Sequence, residues 1–332
     1  MKSFISLLKD ARLIIETCFE TQPGDAVTIL ADADHMAEAE ALAAAAHAID
    51  AKPVIFNVTS MATLAKIHPA MPADPPKHMA AAMTNSDVII IEVELEYAHR
   101  LAHTEAVRDS CKANARIASI EDGMGEWGLT KEDVLAIEER TKKLIEATRD
   151  AKWVHVTAPG GTDVTLSIEG RPPLKCTPIK KRGEMMNPIP LWGEVAWGPV
   201  EDKTEGKIVI DGYMCGIGLV GSLPKPIEWT MKNGRAVNIS GDENAEKLKT
   251  VLSKSDENAN VVGEFAIGTS PFEGFGTPSE QGKLGTVHFA LGDNLSYPGG
   301  RNKSKTHFDG TVRNVTIEVD GRLIIKDGKI VI

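Results

Sequence analysis

Cysteine is scarce in this 332-residue sequence: Cys18, Cys111, Cys176 and Cys215 are the only four, and no two stand in a CxxC spacing. Zinc ribbons and disulfide frameworks need paired, closely spaced cysteines, so neither is expected, and a reducing cytoplasm suits the chain best. No apolar run reaches 18 residues, and the opening Met-Lys-Ser-Phe-Ile-Ser-Leu-Leu-Lys-Asp meets charge too soon to read as a signal peptide. Positive charge is also short, with 37 Lys and Arg against 47 Asp and Glu, a net charge of −10. Nucleic acids and anionic membranes are bound chiefly through Lys and Arg on phosphate, so both are disfavoured. The expected partner is a small molecule, a short peptide or a metal ion. What is present is ordinary for a globular protein: 42% hydrophobic residues with 29 Gly. The length suggests two domains with ample core.

The first half alternates helical and strand patterns. Ala26-Val-Thr-Ile-Leu-Ala31 reads as a strand, Met36 to Ile49 as a helix and Pro53-Val-Ile-Phe-Asn-Val58 as the next strand. Asp87-Val-Ile-Ile-Ile-Glu-Val93 is a nearly continuous apolar run, as expected of a strand covered on both faces, and Ala115 to Ile120 reads the same way. Thr130-Lys-Glu-Asp133 has the spacing of a capping box and opens a helix to about Arg149. This order predicts an α/β domain with a mostly parallel, doubly wound sheet. From about residue 152 strands and turns dominate, among them Ile227 to Met231 and Ala236 to Ile239 around Lys232-Asn-Gly-Arg, and a C-terminal meander with Asp-Gly turns. An α+β, mostly antiparallel domain is predicted there. Prolines accumulate between residues 150 and 190, and the division is drawn as 1–170 and 171–332.

A doubly wound sheet invites a nucleotide, yet the first strand-to-helix turn, Leu30-Ala-Asp-Ala-Asp-His35, has neither GxGxxG nor GxxxxGK[ST]. Asp32 and Asp34 would also repel phosphate. Asp32, Asp34 and His35 read as a helix cap and turn. His47, His68, His78, His99 and His103 are scattered in the first half and read as surface or core residues rather than ligands.

The chemistry gathers in the second half. His307-x-Asp309 places an imidazole and a carboxylate on one face of an extended strand, where both can converge on one centre. Glu264, in Val262-Gly-Glu-Phe-Ala-Ile-Gly268, and Glu194, in Leu191-Trp-Gly-Glu-Val-Ala-Trp-Gly198, are lone acids in apolar or glycine-bounded segments, where an unpaired charge is expensive to bury. His288 lies in Val-His-Phe-Ala-Leu-Gly, a segment that mirrors the one around Glu264. Three carboxylates and two imidazoles suit zinc, manganese, cobalt or iron better than calcium. Five donors suit two ions rather than one. By residue type alone they are equally compatible with unrelated buried acids and core histidines.

These segments, together with Gly161-Thr-Asp-Val-Thr165, Gly193-Glu-Val195, Glu205-Gly206 and Lys232-Asn-Gly-Arg-Ala-Val, resemble the thermophilic-type metallo-aminopeptidases, the family of aminopeptidase T and aminopeptidase S. The resemblance implies that Glu194, Glu264, His288, His307 and Asp309 hold a pair of divalent ions, that Glu264 is general base, that Tyr297 is the catalytic tyrosine, and that the protein is a homodimer. The function it implies is a metal-dependent hydrolase that cleaves an amide bond with a metal-activated water. The chain is also similar to 2,5-dihydroxypyridine 5,6-dioxygenase, a divergent relative of the same fold, in length and in its first half. That resemblance implies one Fe(II) bound by His307, Asp309 and either Glu264 or His288, and a ring-cleaving reaction. The dioxygenase's other iron-binding histidine falls where this chain has Glu264.

Overall fold

The computed structural model describes residues 3–67, 74–102 and 104–332. His68 and His103 lie outside these residues, as does the side chain of His99. Two units partition the chain: Met1–Glu138 with Thr177–Leu191, and Glu139–Cys176 with Trp192–Ile332. A single change of domain near residue 170 is thus replaced by three, because Thr177–Leu191 returns to the first unit.

The first unit contains α1 (Phe4–Arg12), β1 (Ala26–Ala31), α2 (Met36–Ala48), β2 (Lys52–Asn57), α3 (Thr59–Ile67), α4 (Lys77–Thr84), β3 (Val88–Glu92), α5 (Leu95–Ala102), α6 (Glu105–Lys112) and β4 (Arg116–Ile120). Helix α7 (Lys131–Ala147) begins in it and ends in the second. Strands β1 to β4 are joined by β8 (Pro188–Ile189) in a parallel sheet of order β2-β1-β3-β4-β8. The apolar runs in β3 and β4 are buried along their whole length, as two-sided covering by helices demands. Asp32 ends β1 and does the work of a cap. Its Oδ1 accepts from the backbone N–H of Asp34 and His35 at 3.1 and 3.2 Å and lies 2.7 Å from His35 Nδ1, while Oδ2 accepts from Glu94 N–H at 3.0 Å. The capping box of α7 is reciprocal, with Asp133 N–H donating to Thr130 Oγ1 and Thr130 N–H donating to Asp133 Oδ2.

The second unit is built from two antiparallel sheets. Strands β5 (Trp153–Thr157), β6 (Asp163–Ser167), β10 (Thr204–Ile210), β11 (Ile227–Lys232), β12 (Arg235–Ser240), β16 (Thr316–Val319), β17 (Arg322–Lys326) and β18 (Lys329–Ile330) form one, in the order β12-β11-β10-β6-β5-β16-β17-β18. The other has the order β15-β14-β13-β9-β7, from β7 (Leu174–Cys176), β9 (Glu194–Trp197), β13 (Val262–Gly268), β14 (Thr286–Gly292) and β15 (His307–Arg313). Helix α8 spans Glu243–Ser253. Asn233 and Gly234 both take positive φ, 47° and 74°, as the tight β11–β12 turn requires, and so do Asp320-Gly321 and Asp327-Gly328 in the C-terminal meander. Between the sheets lies one core. It takes Val156, Leu166, Ile208 and Trp229 from the larger sheet and Val195, Trp197, Phe265, Val287, Phe289 and Val312 from the smaller. Phe265 stacks on Trp197 at 5.7 Å between ring centroids and meets Phe289 at 5.4 Å.

Candidate metal centre

Side chains alternate across a strand, so the face of the five-stranded sheet turned away from this core carries the residues between the core positions. On β9 these are Glu194 and Ala196, on β13 Glu264 and Ala266, on β14 His288 and Ala290, and on β15 His307 and Asp309. All five predicted donors therefore share one face.

Cross-strand register explains the mirrored segments. Glu264 pairs with Ala290, which pairs in turn with Asp309, while His288 pairs with Ala266, which pairs with Ala196. His307 is opposite Gly292, and Glu194 opposite Gly268. Each ionisable side chain thus has Ala or Gly directly beside it on one neighbouring strand, and the free space lets the long side chains lean together. A bulge at Gly263 is what aims Glu264. Val262 pairs with Leu291 and faces the core, but Glu264, two residues on, pairs with Ala290 on the opposite face. An extra residue in one strand changes which side the following side chains take. A Cβ at Gly263 would stand 2.5 Å from the Gly292 carbonyl oxygen, so no other residue fits there without moving backbone.

Glu264 is the hub. Its Oε1 is 3.1 Å from His288 Nε2 and its Oε2 is 2.9 Å from His307 Nε2. His307 Nε2 is also 3.2 Å from Asp309 Oδ1, and Glu194 Oε2 is 4.0 Å from His288 Nε2. Both imidazoles are oriented from behind: His288 Nδ1–H donates to Gln281 O at 3.3 Å and His307 Nδ1–H to Asp293 O at 2.7 Å. A backbone carbonyl on one ring nitrogen presents the other as a ligand, the arrangement metal-binding histidines commonly have. Glu194, Glu264, His288 and Asp309 are buried, whereas the His307 side chain keeps 29% of its exposure and marks the open side. Tyr297 stands there too, its ring stacked on His307 at 6.1 Å and its phenol held protonated by burial and by the nearby carboxylates, Glu264 first among them. Its loop is anchored by Glu201, which accepts from Asn294 and from the Arg301 backbone N–H at 3.1 and 2.8 Å and pairs with Arg171.

The donor set fits a cation. Glu194 Oε2 and Asp309 Oδ1 are buried without a hydrogen-bond partner, and Glu264, His288 and Asp309 can bring ligand atoms within 4.8 Å of one another. Buried acceptors of this kind are costly unless something positive meets them. In the metal-free chain protons serve instead. Burial, reinforced by Glu264 and Asp309 against the opposing His288, pushes Glu194 up to about 7. Burial would lower His288, but Glu264 and Glu194 outweigh it and hold it up at about 9. Burial opposes ionisation of Glu264 also, yet the two imidazoles bring its carboxyl below the ordinary range. A metal must displace these protons. Both groups are protonated at acid pH, so apparent affinity for a divalent ion is expected to rise through about 7, where Glu194 titrates, and on to about 9, where His288 does. Calorimetry in buffers of different ionisation enthalpy should record proton release, and pH-independent loading would refute the assignment.

Two neighbours of the cluster went unread in the sequence. Cys176 pairs with Glu194 across β7 and β9 and hydrogen-bonds its carboxylate, and Cys215 meets Asp309. Neither carries a local signal, since Cys215 is 94 residues from Asp309 along the chain.

Known proteins bear on this geometry as follows. The solved structure of 2,5-dihydroxypyridine dioxygenase from Pseudomonas putida KT2440 superposes with a TM-score of 0.74 at 18% identity, covering 99% of this chain and 98% of that one. Wild-type AmpT from Thermus thermophilus superposes with a TM-score of 0.67 at 17% identity, covering 99% of each chain. Both share the fold at identities too low to carry an activity. No curated protein matches the sequence. Among the described residues no helix is long and apolar enough to cross a membrane. The family match runs over residues 7–332 and falls on the second of the two resemblances rather than the first: the chain belongs to the 2,5-dihydroxypyridine 5,6-dioxygenase (NicX) family.

Proposed function

We propose that this chain is a mononuclear non-haem iron enzyme that opens a hydroxylated aromatic ring with dioxygen. The observation that carries the reading is family membership along nearly the whole chain, joined to two imidazoles and a carboxylate converging on one sheet face. His288, His307 and Asp309 would hold the ion, a two-histidine, one-carboxylate set suited to ferrous iron with positions left open. When bound, the ion supplies the redox chemistry that ring opening needs. Glu264 lies between the imidazoles and is placed to take a proton from a ring hydroxyl. Tyr297, kept protonated by burial and by three nearby carboxylates, donates a hydrogen bond on the open side. The Asp293–Thr306 loop, tied down through Glu201 and Arg171, limits water at that entrance.

A second reading, two-ion hydrolysis of an amide bond, is favoured by one specific feature. The two oxygens of Glu264 face different donor pairs, His288 with Glu194 on one side and His307 with Asp309 on the other, as a bridging carboxylate would. Metal counting and two assays separate the readings. The purified protein is assayed on 2,5-dihydroxypyridine, anaerobically with ferrous iron and then with air, and on leucine p-nitroanilide. One iron per chain with oxygen uptake is expected, and two ions with amide cleavage would refute the dioxygenase reading. In Glu194→Gln, a single-ion site should keep its metal and most of its activity. Loss of metal and activity together would point to two ions.

A further inference from the structure

Five side chains meet in the cluster, and two of its carboxylates have a thiol behind them. Cys215 N–H donates to Asp309 O at 2.9 Å, so the segment holding Cys215 runs beside β15. The sulfur accepts from Asp309 N–H at 2.9 Å and directs its own S–H to Asp309 Oδ2 at 3.4 Å. With Oδ2 engaged, Oδ1 is the oxygen that faces His307 and has no hydrogen-bond partner. On β7, Cys176 sits directly across from Glu194 and hydrogen-bonds that carboxylate, whose Oε2 is likewise left without a partner facing His288. The same device thus recurs on two strands that are not adjacent in the sheet.

We propose that Cys215 is a positioning residue for the metal centre: its thiol occupies the outer oxygen of Asp309, so that the carboxylate offers a single, fixed oxygen to the ion. The proposal rests on the reading of this cluster as a metal site. A thiol suits the place because it is a weak donor that turns the carboxylate without competing strongly with a cation. Sulfur also takes up the Asp309 backbone N–H, which fixes the strand at the ligand.

Co(II) is the probe, added to the metal-free chain and to Cys215→Ala and Cys215→Ser, with affinity and the visible absorption spectrum read together. Cys215→Ala should weaken Co(II) binding by about 10- to 100-fold, the range typical of residues that orient ligands, and alter the spectrum as Asp309 turns. Cys215→Ser keeps a donor and should stay close to the parent on both counts. Parent-like binding and spectrum in Cys215→Ala would overturn the proposal, and so would Cys215→Ser as weak as Cys215→Ala, which would mean that sulfur only fills space. Failure of the parent chain itself to take up Co(II) would instead bring down the metal-site reading and the proposal with it. An independent measurement needs no alanine variant: the infrared S–H band in the difference between parent and Cys215→Ser should lie at the hydrogen-bonded position and shift on loading. A band at the free-thiol position overturns the proposal.

Discussion

Glu264→Gln should weaken metal binding sharply while leaving the fold standing. Both oxygens of Glu264 are engaged by imidazole nitrogens, at 3.1 and 2.9 Å, so an amide at this place loses the charge and turns one face into a donor aimed at a donor. Affinity for a divalent ion is expected to fall by about 100-fold, the upper end of the range for a residue that orients and charges the ligands. The metal-free protein should suffer far less. His288 is held up largely by Glu264 and discharges without it, while His307, held up first by Asp309 and then by Glu264, keeps Asp309 as its partner, so neither remains as an unpaired buried cation. A cost of about 1–3 kcal/mol for imperfectly satisfied buried groups is the expected upper range. Metal content by atomic spectroscopy and urea unfolding of the metal-free protein read the two effects separately. Unchanged metal affinity would mean that the ion does not depend on the Glu264 charge.

Phe265→Ala should do the reverse. Phe265 follows Glu264 directly and points to the other face, where it is fully buried between Trp197 and Phe289. Removing the ring leaves a cavity inside the core shared by the two sheets, at a cost of about 3–5 kcal/mol. The urea midpoint should drop sharply, whereas metal affinity measured well below the new midpoint should change little, because no donor is touched. An unchanged midpoint would mean that the sheets are not held by this core. Adjacent residues on one strand would thus separate stability from chemistry.

Much of the architecture was legible because local physics enforces it. Ala26–Ala31 reads as a strand and forms one, and the buried runs at Val88–Glu92 and Arg116–Ile120 could only be central strands. Asn233-Gly234 closes its hairpin because both residues accept positive φ at low cost. The four helices from Thr59 to Lys112 and the strand at Pro188–Ile189 escaped notice, being short and placed by packing rather than by a strong periodic signal. Proline clustering suggested one domain change near residue 170, but proline marks turns, not the direction a chain takes after them.

The candidate site divides along the same line. His307 and Asp309 needed only the two-residue period of a strand to be placed together, and the mirrored segments around Glu264 and His288 already carried the alanines that register sets opposite the donors. Apolar surroundings singled out Glu194. These features reside in short stretches of chain and could be read without knowing what lies beside them. Tertiary structure decided the rest. The bulge at Gly263 that turns Glu264 from core to site depends on where β14 meets β13, and the thiols of Cys176 and Cys215 reach their carboxylates only through strand pairing and a segment 94 residues distant. Side-chain period is a property of one strand, whereas register and the neighbour across a sheet belong to two, and only folding brings the second strand into place.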